Sequence, residues 1–327
     1  MPPTPEKPPA LAVMSAEHWP LLFPPAVRHR LDQLVQLDPA GPIDRFDPDR
    51  LAEVEVLITG WGCPIVDHRI LGKAPKLRAI LHAAGSVKGH LGREVWERGI
   101  VVSSAAAANA VPVAEFALGA ILLSGKGAFD LRERYRRDRW FELGHIHPDV
   151  GNHGRTVGLI GASRIGRQVL DLLRQFGFRV QVYDPYAHDL PSVDLRTLLS
   201  TSDIVSVHAP LTAETHHLLG AEELAQLRTG ATLINTARGQ VIDPDALIAE
   251  LRTGRISAVL DVTEPEPLPV DSPLFALPNA FVTPHIAGSH GNELARMGAC
   301  VTAELDRLLA GEPLHHGISL AELDRAA

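Results

Sequence analysis

The segment Gly158-Leu159-Ile160-Gly161-Ala162-Ser163-Arg164-Ile165-Gly166 closes an apolar run, Thr156–Ile160, and opens a helical pattern over Arg167–Phe176. A glycine-rich turn between a strand and a helix is where a dinucleotide-binding G-x-G-x-x-G fingerprint lies, because the helix N-terminus aims its N–H groups at a pyrophosphate. Gly161 and Gly166 take the first and third glycine positions, and Ser163 stands at the second. Serine adds a small side chain whose hydroxyl can donate to a phosphate oxygen. The expectation is a slightly displaced turn that keeps its site, with Arg164 and Ile165 completing its backbone. Asp184 ends the next strand, Val180–Tyr183, at about the 20-residue interval where a carboxylate bonds the adenosine ribose. A carboxylate there repels a 2′-phosphate, which favours NAD over NADP.

The same alternation extends in both directions. Downstream, Ile204–His208, Thr232–Asn235, Ala258–Leu260 and Phe281–Thr283 read as strands separated by helical stretches. Their continuous Val/Ile/Leu character fits a parallel sheet buried on both faces. Upstream, Val54–Gly60, Leu77–His82 and Ile100–Ser103 give a second βαβ series. Val111–Ser124 reads as a long apolar helix with Pro112 in its first turn. Its core, Val111–Leu123, is short for a bilayer span and carries Glu115, read as structural. Arg132–Arg139 reads as a solvated helix face, and a last helix, Asn292–Leu309, ends at Gly311. The proline-rich start, Met1–Met14, has no signal-peptide pattern and reads as a disordered lead-in.

Composition narrows the classes. The chain has 327 residues, about two domains' worth. It is 45% apolar and 21% charged, as expected of a globular core rather than a disordered chain. A net charge of −8 argues against nucleic acid and anionic membrane surfaces as partners. Cys63 and Cys300, both in apolar surroundings, make no disulfide framework or metal spacing. Both read as buried small hydrophobes in a reducing, cytoplasmic setting. His145, His147 and His153 cluster by density alone, and His216-His217 and His315-His316 read as exposed, so no metal site is assigned. Asp243 and Asp245 read as helix caps.

Three later segments place a polar group just past an apolar strand: Asn235-Thr236-Ala237-Arg238-Gly239, Asp261-Val262-Thr263-Glu264-Pro265-Glu266-Pro267 and Thr283-Pro284-His285-Ile286-Ala287-Gly288. The carboxyl end of strands is where open α/β sheets hold ligands. An arginine can grip a carboxylate with both arms and polarise the adjoining carbonyl. An imidazolium can protonate the carbonyl oxygen as hydride arrives, and a carboxylate beside it orients the ring and stabilises its cationic form. The set suits reduction of a 2-oxo acid.

Through these segments, the turn at 158–166 and His208-Ala209-Pro210-Leu211-Thr212-Ala213-Glu214-Thr215, the chain resembles the D-isomer-specific 2-hydroxyacid dehydrogenase family over nearly its whole length. The resemblance implies two Rossmann-like, doubly wound parallel-sheet α/β domains. The flanking, substrate-binding domain would be discontinuous, 1–110 with 289–327, and the NAD-binding domain would be 111–288, with substrate in the cleft between. It implies Arg238 as substrate-binding arginine, His285 as acid/base and Glu266, rather than Glu264, as its carboxylate partner. Asp261, Thr236, Ala237, Asn109 and Gly288 would lie near the nicotinamide, and His208, Ala209 and Pro210 on the adenosine side. Gly85, Ser86 and Val87 would hold the substrate carboxylate by backbone N–H groups. Lys88 follows where the family usually has aspartate, and reads as an exposed lysine at a helix start or, alternatively, as extra positive charge near the substrate mouth that suits a dianionic or phosphorylated acid. Trp140 and Phe141 read equally as substrate-side or core residues. Hydroxypyruvate or glyoxylate is the implied substrate, and a homodimer the implied assembly. A formate- or phosphite-type dehydrogenase and a non-catalytic NAD-sensing interaction protein share the scaffold as alternatives.

Overall fold

The computed structural model describes residues 7–141, 146 and 150–323. The chain forms two compact units, Met1–Asn109 with Ser289–Ala327, and Ala110–Gly288. The first break falls one residue before the expected one.

The first unit is built on five parallel strands: β1 (Pro9–Val13), β2 (Gln36–Leu37), β3 (Val56–Thr59), β4 (Ala79–His82) and β5 (Val101–Ser104). Their order is β2-β1-β3-β4-β5. The expectation of a disordered start is corrected here, because Pro9–Val13 is an interior strand. Proline lacks an N–H donor but keeps its carbonyl. Pro8 and Pro9 each accept a backbone bond, from Gln36 at 3.0 Å and Glu55 at 2.9 Å, so the missing donors fall at the strand's entry. Alternate residues then go to opposite faces. Ala10, Ala12, Val56, Ile58 and Leu81 pack with Leu31, Met297, Val301 and Leu305. Leu11, Val13, Leu57, Ile80 and Val102 pack with Leu51, Leu71 and Val95. The C-terminal helix Leu294–Ala310 therefore belongs to this sheet, so the unit must be discontinuous. A Cβ at Gly298 would lie 1.8 Å from the Leu22 carbonyl oxygen, which fixes how closely the helix approaches. Gly311, at φ +71°, ends it.

The second unit has six parallel strands: β6 (Thr156–Ile160), β7 (Arg179–Tyr183), β8 (Ile204–Val207), β9 (Thr232–Asn235), β10 (Ser257–Leu260) and β11 (Ala280–Val282). The order β11-β10-β9-β8-β6-β7 reverses between β6 and β8, which makes the crevice past those two strands a ligand position. One face packs Ile160, Val205, Leu233 and Leu260 with Leu224 and Leu247. The other packs Leu159, Val182 and Ile234 with Ala114, Ala117, Ile121 and Val169.

Several local expectations shift. The long apolar helix runs Ala106–Gly125, with Pro112 inside it rather than in its first turn, because alanine-rich residues extend it backward. By length and composition its 20 residues reach what a membrane span requires, contrary to the short-run reading. Its Ala114, Ala117, Ala120 and Ile121 face instead packs into the core. Glu115 is exposed, and the arginine-rich helix Ala128–Asp138 buries no residue. Trp140 and Phe141 are exposed, so neither is a core residue. Cys63 and Cys300 are half-buried rather than buried, and burial pushes the Cys63 thiol up to about 12.

Three buried histidines give the fold a pH dependence. His82 is held well below its ordinary value by burial, with His90 adding to it, and burial alone pushes His90 and His208 down to about 4. In the unfolded chain each titrates near about 6.5. Between about 6.5 and 4 the unfolded state binds more protons, so stability is complete above that window and falls as the pH drops through it. Each histidine shifted to about 4 contributes on the order of 3 kcal/mol. The melting temperature should drop markedly from about pH 7.5 to about pH 5. His90→Gln should flatten the profile, and a flat parent profile would contradict this account.

Candidate active site

The turn after β6 is held by close packing. Gly161 has φ +95°, and a Cβ on it would sit 2.6 Å from the Ala209 nitrogen. A Cβ on Gly166 would sit 2.1 Å from the Gly161 carbonyl oxygen. Only glycine fits either place. The helix that follows begins at Arg164 rather than Arg167, with Ser163 as its N-cap residue. The Ser163 hydroxyl donates to the His208 carbonyl at 2.8 Å, not toward a phosphate position, so the serine staples β6 to β8 across the strand reversal. No side chain caps this helix and no acidic residue occupies its first turn, so the helix end keeps its affinity for an anion.

Asp184, past β7, accepts the Ala162 N–H at 2.6 Å through one oxygen and the Tyr186 N–H at 2.8 Å through the other. Its carboxylate thus sits beside the glycine turn. The nearby cation, Arg167, is held by both oxygens of Asp189 at 2.7 Å. The Tyr186 hydroxyl donates to Glu214, which adds a second acidic group on this side. His208 departs from expectation: its ring is buried, with Nε2 3.0 Å from the Ser206 hydroxyl, so only its backbone faces the turn. The Thr236 hydroxyl is buried without a protein partner. A glycine turn, an uncapped helix start, a ribose-type carboxylate and an unsatisfied hydroxyl past β9 together fit a bound dinucleotide.

Beyond β9, buried Asn235 shapes the arginine loop. Its amide accepts the Ala237 N–H at 3.0 Å and donates to the Arg238 carbonyl at 2.9 Å. Gly239 follows because a Cβ there would meet the Thr263 carbonyl oxygen at 2.0 Å. Burial pulls the Arg238 guanidinium below its ordinary value while the Glu266 charge opposes the shift, and arginine remains a cation.

His285 lies in the left-handed region at φ +55°, a strained conformation for a non-glycine residue. Asp261 imposes it. That residue is 2% exposed, so it does not present itself to a ligand as expected. One oxygen accepts from the Thr283 hydroxyl at 2.6 Å and the Ile286 N–H at 2.8 Å, the other from the Ala287 N–H at 2.9 Å. Its own carbonyl accepts the His285 N–H at 2.9 Å. The loop wraps around one buried carboxylate, and His285 is turned out at its apex. His285 Nδ1 lies 2.5 Å from Glu266 Oε1. Glu264 is turned away, with Oε2 3.2 Å from His217 Nε2. Arg238, Glu266 and His285 are thereby brought together past the ends of β9, β10 and β11. Ala237 and Gly288 lie in the same loops, and Pro210 follows β8. A cavity of about 560 Å³ in this unit is lined instead by Phe129, Arg132, Arg255 and Phe281 and contains none of the three.

In the first unit, Gly85-Ser86-Val87 follows β4. The buried His82 ring bonds the Thr59 hydroxyl at 2.9 Å and the Ser86 backbone, bracing the loop from beneath. Asn109 lies against this loop, its Nδ2 3.8 Å from where a Gly85 Cβ would be, and its Oδ1 accepts the Ser289 N–H at 2.8 Å. Lys88 is exposed. Asp243 caps its helix as expected. Among the other histidines, His153, His216 and His315 are exposed, whereas His217 and His316 are half-buried. His145 and His147 lie outside the described residues. The sequence reading missed two features: the Asp261 hub and the His217–Glu264 contact.

Residues 118–287 match the family model of the D-isomer specific 2-hydroxyacid dehydrogenase NAD binding domain. The chain is 35% identical over 299 residues to glyoxylate/hydroxypyruvate reductase B of Pectobacterium atrosepticum, covering 88% of this chain and 92% of the relative. A D-lactate dehydrogenase from Aquifex aeolicus, solved with NAD and lactic acid, superposes with a TM-score of 0.69 at 25% identity, covering 95% of this chain and all of that one. A D-isomer specific 2-hydroxyacid dehydrogenase from Xanthobacter autotrophicus, solved with NADPH and MES, gives a TM-score of 0.75 at 30% identity, covering 96% and 99%. With this family's fold, its sequence segments and a site suited to its chemistry, the chain belongs to the D-isomer-specific 2-hydroxyacid dehydrogenases, NAD(H)-dependent oxidoreductases acting on CH–OH donors.

Proposed function

We propose that this enzyme reduces a small 2-oxo acid of the glyoxylate or hydroxypyruvate type to the 2-hydroxy acid, with His285 as acid and Arg238 as substrate anchor. The observation that carries the reading is the 2.5 Å His285–Glu266 pair beside the half-buried Arg238. The relative from Pectobacterium atrosepticum supports the substrate class. When bound, the dinucleotide supplies the hydride. Arg238 grips the carboxylate and polarises the neighbouring carbonyl. Glu266 holds the imidazole through Nδ1, so the opposite nitrogen, Nε2, gives its proton to the carbonyl oxygen. The Gly85-Ser86-Val87 loop offers backbone N–H groups to the carboxylate. The backbone of Gly161, Ser163, Arg164, Ile165 and Gly166 would hold the pyrophosphate, and Asp184, with the backbone of His208, Ala209 and Pro210, would receive the adenosine. Thr236, Ala237, Asp261, Gly288 and Asn109 form the nicotinamide end, Asp261 acting through its loop.

Initial rates of NADH oxidation with glyoxylate, hydroxypyruvate, pyruvate and bulkier 2-oxo acids test this reading. The highest kcat/KM should fall on one of the first two. Preference for a bulky branched acid, or formate or phosphite oxidation with no 2-oxo acid turnover, would overturn it. Asp184→Asn should lower the NADH-over-NADPH preference by about 10- to 100-fold, the value of hydrogen bonds to a charged group. An unchanged preference would show that Asp184 does not select the cofactor. A homodimer formed through the long helices of the second unit, in a reducing cytoplasm, completes the proposal.

A further inference from the structure

Away from the residues given a role so far, the second unit gathers His216, His217 and Glu264. Their ligand atoms all lie within 4.8 Å of one another. His217 Nε2 is 3.2 Å from Glu264 Oε2, and the two histidine rings stack with centroids 4.0 Å apart. The opposite edge of the His217 ring faces a second carboxylate, with Nδ1 3.8 Å from Asp243 Oδ2. Asp243 is itself fixed, because its other oxygen accepts the Ala246 N–H at 3.0 Å as the helix cap. His217 is also one of three non-glycine residues at positive φ among the described residues, at +52°, with its N–H bonded to the Gln240 carbonyl at 2.8 Å. Strain of this kind persists only where the surroundings impose it.

The order carboxylate, imidazole, then a converging carboxylate and second imidazole is how proteins hold zinc: an outer carboxylate orients the ring whose far nitrogen binds the ion. We propose that His216, His217 and Glu264 bind a divalent transition cation of the Zn²⁺ class, with the Asp243 carboxylate, 3.8 Å from Nδ1, as a charge facing the far edge of the His217 ring. Two imidazoles and a carboxylate are a zinc donor set, whereas Ca²⁺ and Mg²⁺ take oxygen ligands. Tetrahedral binding at about 2.0–2.2 Å draws the donors closer together than they stand here. His216 is exposed and can rotate to meet that geometry. Water completes the coordination. Glu264 stands two residues before Glu266, so an ion there braces the segment that carries the partner of His285. This site is independent of the substrate reading.

Tag-free, chelator-treated full-length protein titrated with Co²⁺ tests it through visible absorption, with zinc as competitor. The expected result is a tetrahedral-type band that saturates at a single equivalent and is displaced by Zn²⁺. It should vanish in His216→Ala while circular dichroism and NADH binding are retained. Glu264→Ala repeats the test if His216→Ala does not fold. No band, saturation only at large Co²⁺ excess, or an undiminished band in the folded variant would overturn the proposal, assigning any residual binding to other histidines.

Discussion

His285→Ala is expected to lower turnover on the best 2-oxo acid by about 10²- to 10⁴-fold, the usual contribution of a positioned acid or base. NADH binding should be retained, because the glycine turn and Asp184 that receive the cofactor are held by the Ala162 N–H and the Ser163–His208 bond, which the substitution leaves in place. The loop should also persist. Asp261 holds it through Thr283, Ile286 and Ala287, whereas the His285 ring that alanine removes is bonded to Glu266. Stopped-flow NADH binding with steady-state rates separates the two effects. Near-parental turnover would mean that the proton comes from elsewhere.

Arg238→Gln is expected to cut kcat/KM for the 2-oxo acid by a comparable factor, again without loss of NADH affinity. Each hydrogen bond to a charged group contributes about 1.5–3 kcal/mol, and a two-armed grip on a carboxylate loses both. That corresponds to about 10²- to 10⁴-fold. Glutamine keeps most of the volume, and the Asn235 clamp on the Ala237 N–H and Arg238 carbonyl uses backbone that the substitution leaves in place. The effect should be in recognition and carbonyl activation, not in the loop. A variant that only raises KM, with kcat intact, would assign Arg238 to binding alone and return polarisation of the carbonyl to another group.

The parallel sheets were legible because strands buried on both faces are continuous apolar runs, and β6 to β11 lie within a residue or so of where those runs fall. β1 was hidden because prolines mark loops by composition, whereas Pro8 and Pro9 bond through carbonyls that composition does not report. Pro112 misplaced a helix start for the same kind of reason, since a helix interior can carry a proline where preceding alanines favour continuation. Arg238, Glu266 and His285 were visible because each follows a strand that the pattern locates. What their loops do was not visible. The direction of the Ser163 hydroxyl, the turning of Glu264 to His217, and Asp261 as an internal hub all depend on packing between loops distant in sequence.

The account rests on stereospecific reduction of a small 2-oxo acid by this site. Its most direct test is the configuration of the glycerate formed from hydroxypyruvate and NADH, resolved by chiral chromatography. The account predicts D-glycerate, in a reaction abolished by His285→Ala. L-glycerate, a racemate, or no glycerate from active protein that reduces no 2-oxo acid would contradict it.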